Sequence, residues 1–382
     1  MSGPGDVEVA ADEGRGRASH VAAANGHGSP QQADVFKTVA AEPSSPPRLL
    51  ATRVYTLSYL VFFSLLGTLA RLGLTALTHY LDSPVIFDSV WANFGGSLVI
   101  GFLAEDRNLF RHEGAVDDRK AHLALKKTVP LYIGLATGFC GSFTSFSSFI
   151  RDAFLALSHD LVAPGHASTA GSRGGGQSFM ALLAVVVTTV SLSLSGLFLG
   201  AHLACAAERL TPSLPRAVSR KVLDPLSLVL GWGCWLGAVL LSIFPPHDDW
   251  RGRAVFALVL APLGCLLRFS LAVHLNGRRA AFPLGTFAAN VAGSAVLAGA
   301  WDLAHSPAAA GAVVGCQVLQ GVEDGFCGCL TTVSTWVTEL SGLGRRDAYV
   351  YGSVSVVVSF ALVVAVMGGL RWTEGFSPLT CG

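Results

Sequence analysis

Gly138-Phe-Cys-Gly-Ser-Phe-Thr-Ser-Phe-Ser-Ser-Phe149 recurs 187 positions later as Gly325-Phe-Cys-Gly-Cys-Leu-Thr-Thr-Val-Ser-Thr-Trp336. Each copy lies in the middle of a long apolar run, 128–157 or 313–340. Glycine there is flexible, and Thr144 and Thr331 can bond backbone, so both runs are expected to break as helices and free carbonyls and amides. Unpaired backbone at membrane depth is tolerated only where it is buried in protein or lines a wet cavity. Gly-x-x-Gly alone would equally permit close helix packing. A second copy with the same polar decoration favours the break.

Two further blocks extend the repeat. Gly67-x-x-x-Arg71 matches Gly264-x-x-x-Arg268, and an asparagine follows each arginine by 22 residues, Asn93 or Asn290. Gly96-Ser97 and Gly293-Ser294 come next, and these blocks are offset by 197 residues. The ten-residue difference falls in a connector, where insertions are tolerated. Ordered self-similarity of this kind marks a duplication.

Charged residues make up 13% of the 382-residue chain and hydrophobic residues 51%, against roughly 25% charge in soluble domains. A membrane protein is implied. Net charge is +1, and no basic block suggests nucleic acid as a partner. With about 20 apolar residues needed per span, nine spans are expected: 54–77, 86–104, 128–157, 179–205, 225–244, 254–275, 282–303, 313–340 and 350–370. Residues 1–50 are too poor in large apolar side chains to fold and read as a disordered tail without signal-peptide layout. The eight cysteines, among them Cys140, Cys205, Cys234, Cys265, Cys316 and Cys327, read as small buried hydrophobes. Cys327-Gly-Cys329 is too tight for usual zinc spacings, and neither a disulfide framework nor a metal-thiolate site is expected.

Fourteen Lys and Arg fall in the connectors on one side of the nine-span arrangement, and Arg173, Arg251, Arg253 and Arg371 on the other. The positive-inside rule then puts the N-terminus in the cytoplasm and the C-terminus outside. Four spans, one linker span and four more make the halves inverted repeats, which place sites at the midplane between them. The expected architecture is an all-α polytopic membrane protein. It comprises a tail (1–50), a first four-span repeat (51–222), a linker helix (223–246) and a second, inverted repeat (247–382).

Several residues are candidates for a site. Carbonyls freed at two symmetry-related breaks could hold a dehydrated cation on the axis. Asn93 and Asn290 offer two amide donors each, for a permeant anion or as interhelical ties. Thr189, Ser191 and Ser195, with Ser353, Ser355 and Ser359, read as a polar stripe, although such hydroxyls also back-bond within helices. Phe146 and Phe149 share a helix face, and their positive ring edges suit a small, strongly hydrated anion. Arg71 and Arg268 lie inside spans, where charge is costly; each is a vestibule attractant or a helix tie. Asp152 and Glu339 match across the repeats near span ends.

These blocks resemble the Fluc fluoride channels in their fused eukaryotic form, over roughly residues 54–370. The resemblance implies a passive, selective fluoride pore in the plasma membrane and a monomer with pseudo-dimeric symmetry. It also implies a structural sodium ion held by backbone carbonyls of Gly141, Thr144, Gly328 and Thr331. Asn93, Asn290, Phe146, Phe149, Ser147, Ser334 and the hydroxyl stripes would line the pores. Val333 and Trp336 stand where the second repeat should carry phenylalanines, so one working and one degenerate pore are expected. A proton-coupled exporter of the dual-topology four-span type would need a carboxylate in each first span, and 54–77 and 254–275 contain none. Enzyme chemistry is not expected: few histidines lie in spans, and no Gly-x-Ser-x-Gly stands near one.

Overall fold

The computed structural model describes residues 46–110, 124–162, 174–245, 254–306, 313–379 and 381. It is helical, with no strand among the described residues. Helix α1 (Pro46–Thr78) starts five residues inside the segment expected as tail; the rest of that tail lies outside the described residues. α2 is Ser89–Glu105. α3 begins at Pro130–Ile133, widens to π-geometry over Gly134–Cys140 and ends in the turn Gly141–Phe143. α4 (Phe146–Ser158) and α5 (Gly175–Ala206) follow. After α6 (Asp224–Ile243) come α7 (Phe256–Leu275) and α8 (Leu284–Ala304). α9 (Val313–Gly321) also passes through a π-segment, Val322–Cys327, and a turn, Gly328–Leu330. α10 (Ser334–Gly342) and α11 (Arg345–Thr373) follow.

Seven helices among the described residues are long and apolar enough to cross a membrane. Of the expected nine spans, two fall outside that set for evident reasons. α2 has 17 residues, short of the about 20 that a hydrocarbon core demands. The run 313–342 carries Glu323, Asp324 and Glu339.

Burial is inverted relative to a soluble protein. Leu226, Val229, Leu236, Leu240 and Leu241 on α6 are exposed, whereas Thr68, Asn93, Ser97, Thr144, Asn290 and Thr331 are fully buried. Apolar side chains outward and polar groups inward is the arrangement a lipid solvent favours. α6 docks on both halves. Tyr59 OH donates to Asp224 Oδ1 (3.0 Å), Trp232 Nε1 to Ser58 Oγ (3.0 Å), and Trp235 Nε1 to the Val259 carbonyl (2.9 Å).

The cysteine reading needs correction. Cys316, at the start of α9, forms a disulfide with Cys381 across 65 residues, while Cys205 and Cys234 are exposed. No local pattern announces a pair so distant; it depends on the C-terminal segment folding back over α8 and α9. Thiol labelling of the unfolded, unreduced protein is therefore expected to modify six cysteines, and all eight after reduction. Eight labelled before reduction would remove the disulfide.

Candidate functional site: two helix breaks that cap each other

The π-segments make room for the breaks. Continuing α3 as a helix would need Ser145 N to donate to the Gly141 carbonyl. Thr144 instead turns extended (φ −89°, ψ 151°), and Ser145 N donates to Asn93 Oδ1 (2.9 Å). Asn93 Nδ2 returns a bond to the Ser145 carbonyl (3.3 Å). The second half repeats the device: Thr331 is extended (φ −94°, ψ 156°), Thr332 N donates to Asn290 Oδ1 (2.9 Å) and Asn290 Nδ2 to the Thr332 carbonyl (3.2 Å). One turn on, Ser148 N bonds Ser145 Oγ (3.2 Å) and Thr335 N bonds Thr332 Oγ1 (3.4 Å). The carbonyls of Gly141, Thr144, Gly328 and Thr331 thus lose the donors a continuous helix would supply.

Each threonine then closes the other half's helix. Thr144 Oγ1 donates to the Cys140 carbonyl (3.0 Å) and accepts from Val333 N (3.2 Å) and Ser334 N (3.1 Å), the opening amides of α10. Thr331 Oγ1 donates to the Cys327 carbonyl (2.9 Å) and accepts from Ser147 N of α4 (3.0 Å). Ser334 Oγ donates to the Cys140 carbonyl (3.0 Å) and Ser147 Oγ to that of Cys327 (3.4 Å). Ser147 and Ser334 therefore spend their hydroxyls on the crossing.

Arg71 and Arg268 are both buried and act as ties between halves. Arg268 Nη2 donates to the Thr137 carbonyl (2.9 Å) in the first π-segment and Nε to the Cys329 carbonyl (2.8 Å). Arg71 Nη2 donates to the Asp324 carbonyl in the second. Each guanidinium lies against a glycine of the opposite break, Gly141 or Gly328, where any Cβ would collide with it. Carbonyls of the π-segments thus accept from the in-span cations, which offsets part of the cost of burying them.

Beyond the breaks the halves lie against each other twice. α4 packs on α8 and α11, and α10 packs on α2 and α5. Phe146 meets Phe149 edge-on (centroids 5.5 Å) and Trp336 edge-on (5.3 Å); these three and Val333 are buried. The hydroxyl stripes sit in a different register from the one expected. Ser191, Ser195 and Ser353 are on exposed faces. The buried stripes are Thr189 and Ser193 on α5, and Tyr351, Ser355 and Ser359 on α11. A strict i, i+4 reading would have found Ser193 and Tyr351.

Tyr351 OH (2.7 Å) and Thr286 Oγ1 (2.7 Å) donate to the Glu339 carboxyl, joined by Asn276 Nδ2 (3.2 Å). Asp152, its counterpart, accepts from Ser89 Oγ (2.6 Å) and Arg151 Nη2 (2.9 Å). Beyond the helices, burial raises the Asp88 carboxyl above its ordinary range, with His79 opposing the shift.

The family model described as CrcB-like protein, Camphor Resistance (CrcB), matches residues 58–201 and 255–370. Fluoride export protein 1 of Neurospora crassa is 61% identical over 366 residues, covering 87% of this chain and 69% of that protein. Fluoride export protein 1 of Candida albicans is 36% identical, covering 81% of this chain and 78% of its own. The fluoride-specific ion channel FluC of Pseudomonas aeruginosa is 33% identical over 128 residues, 32% of this chain and 98% of its own. No solved structure matches.

Thr144→Val keeps the side-chain volume but leaves two buried amides of α10 without an acceptor, at about 1–3 kcal/mol for each unsatisfied group. The detergent-solubilised variant is expected to melt several degrees below wild type, and Thr144→Ser close to it. A Thr144→Val melting curve that overlays wild type would show that the crossing contributes nothing.

Proposed function

This chain belongs to the CrcB-like family, and from that premise we propose that it is a passive, selective fluoride channel exporting fluoride from the cytoplasm. The observation that carries the reading is the pair of reciprocally capped helix breaks with a ring cluster, Phe146, Phe149 and Trp336, directly beyond them. A small hydrated anion needs amide, hydroxyl and ring-edge contacts to replace its water, and a buried interface of these groups offers all three. The spans lacking a carboxylate disfavour the proton-coupled exporter. In this reading the chain is a monomer of two inverted four-span repeats, 51–222 and 247–382, joined by a linker helix in 223–246, nine spans in all.

Two asymmetries favour the α4–α8–α11 interface as the conducting one. It holds both phenylalanines, Asn290, Ser355, Ser359 and Tyr351, with Trp336 edge-on to Phe146, whereas the α10–α2–α5 interface has Val333 at the start of α10. In the latter, α2 and α5 touch backbone to backbone. A Cβ on Gly101 would strike the Leu197 carbonyl, one on Gly200 the Leu98 carbonyl, and one on Gly196 would lie 2.7 Å from the Phe94 carbonyl. No glycine of α8 or α11 is pressed against the other helix in this way. Glycine-mediated contact leaves little room for an ion. Val333, lacking a ring edge, and Asn93 would then belong to a degenerate pore.

Gly141, Thr144, Gly328 and Thr331 fit a structural sodium ion. Their carbonyls are hard oxygen donors released at the two breaks, and the nearby guanidiniums of Arg71 and Arg268 favour a monovalent occupant. Bound there, the ion would supply fixed positive charge between the halves. The positive-inside bias places the N-terminus in the cytoplasm and the C-terminus outside. The disulfide agrees, since disulfides persist in oxidising compartments and Cys316 and Cys381 lie on the outer face in that orientation. A plasma-membrane location would let the inside-negative potential drive the anion out, with about 2.3 kcal/mol per charge per 100 mV.

Liposomes holding the purified protein are expected to release fluoride and retain chloride without a proton gradient; equal release, or dependence on such a gradient, would sink the reading. Phe146→Ile should slow release roughly two- to twelve-fold, the rate equivalent of about 0.5–1.5 kcal/mol of ring interaction, while Val333→Phe leaves it unchanged. Equal effects would overturn the asymmetry. Replacing sodium by a large organic cation throughout purification is expected to lower the melting midpoint, and an unchanged midpoint would remove the ion from the proposal.

A further inference from the structure

The helices α4, α8 and α11 are bound together at one end by the last turn of α11 and the segment that follows it. α11 ends in a turn in which both Glu374 N and Gly375 N donate to the Leu370 carbonyl. Gly375 holds φ +81° there, a left-handed conformation open chiefly to glycine, and the chain reverses. Arg371, in the last turn of α11, pairs with Asp160 just past α4 (2.6 Å), and Trp372 meets Phe154 of α4 edge-on (6.2 Å). Phe376 then lies on Trp301 (6.0 Å) and His305 (5.6 Å) at the end of α8, two rings stacked at 4.1 Å. Ser377 N donates to the His305 carbonyl (2.9 Å). The disulfide from Cys381 to Cys316 fixes the far end on α9.

α11 thus meets the end of α4 through its own last turn, and the segment beyond it runs from the end of α11 across the end of α8 to its fastening on α9. Under Trp301 lies the Arg151 guanidinium, 5.5 Å from the ring, on the helix that carries Phe146 and Phe149. No equivalent exists in the first half: the connector after α5 leads into α6, and among the described residues no disulfide joins it to a neighbour.

We propose that the C-terminal segment from Glu374 to Leu379, locked through Cys381 to Cys316, is a lid over the outer mouth of the α4–α8–α11 interface and restricts anion exit. The proposal rests on reading that interface as the conducting one. The segment's own noncovalent ties, the Phe376 ring contacts and one backbone hydrogen bond from Ser377, are weak, so the covalent end decides whether the lid stays seated.

The test compares fluoride efflux from liposomes before and after an impermeant phosphine is added outside. Phosphorus attacks one sulfur, the disulfide is reduced to two thiols, and water supplies their protons and the oxygen of the phosphine oxide. Efflux is expected to rise several-fold, and Cys381→Ser to show the raised rate with no response to phosphine. An unchanged or slower rate after thiol counting confirms full reduction would overturn the lid. Because the wild-type protein is reduced after folding, misfolding of the variant does not decide the outcome. Absence of fluoride efflux in the oxidised protein would refute the channel reading separately. Hydrogen exchange then judges the lid: reduction must speed exchange in the last turns of α4, α8 and α11, and equal exchange overturns it.

Discussion

Thr144 and Thr331 carry the constraint on which the rest of the structure depends. A helix broken in lipid must find new partners for the groups it frees, because no water is there to take them. Here each threonine hydroxyl donates its proton to its own helix and accepts amides of the other half's helix. Neither break is satisfied without the other. The two halves are therefore held in one register by hydrogen bonds from backbone amides to threonine hydroxyls, which are far more directional than apolar contact between helices that lipid could equally well cover.

The same requirement explains the polar residues around the crossing. Asn93 and Asn290 take the first amide and carbonyl past each break, and Arg71 and Arg268 take carbonyls from the opposite π-segment. Glycine at 141 and 328 lets a guanidinium approach closely. A charge that would be costly in isolation becomes the acceptors' partner, and the scaffold tolerates it twice.

On this symmetric frame the two interfaces differ. Phe146 and Phe149 lie on α4, which packs on α8 and α11, while α2 and α5 meet along a glycine seam beside α10. Capping does not constrain the side chain at Val333, because that position contributes its backbone amide to Thr144. Side chains beyond the break are free to diverge while the break itself is not.

Much of this was legible from residues alone. Repeat blocks, apolar runs and paired Gly-Phe-Cys-Gly…Thr stretches determined an all-helical membrane protein with two related halves and two mid-helix breaks, since both signals are local and the lipid requirement is strict. The stripe register was readable too, had Thr189 been followed to Ser193 rather than to Ser191 and Ser195. Other features were decided only in three dimensions. That Thr144 caps α10 and Thr331 caps α4, that Arg268 reaches the Thr137 carbonyl, and that Cys316 finds Cys381 are relations between segments from 65 to 190 residues apart. Sequence specifies which groups lack partners; only packing determines which distant group arrives to satisfy them.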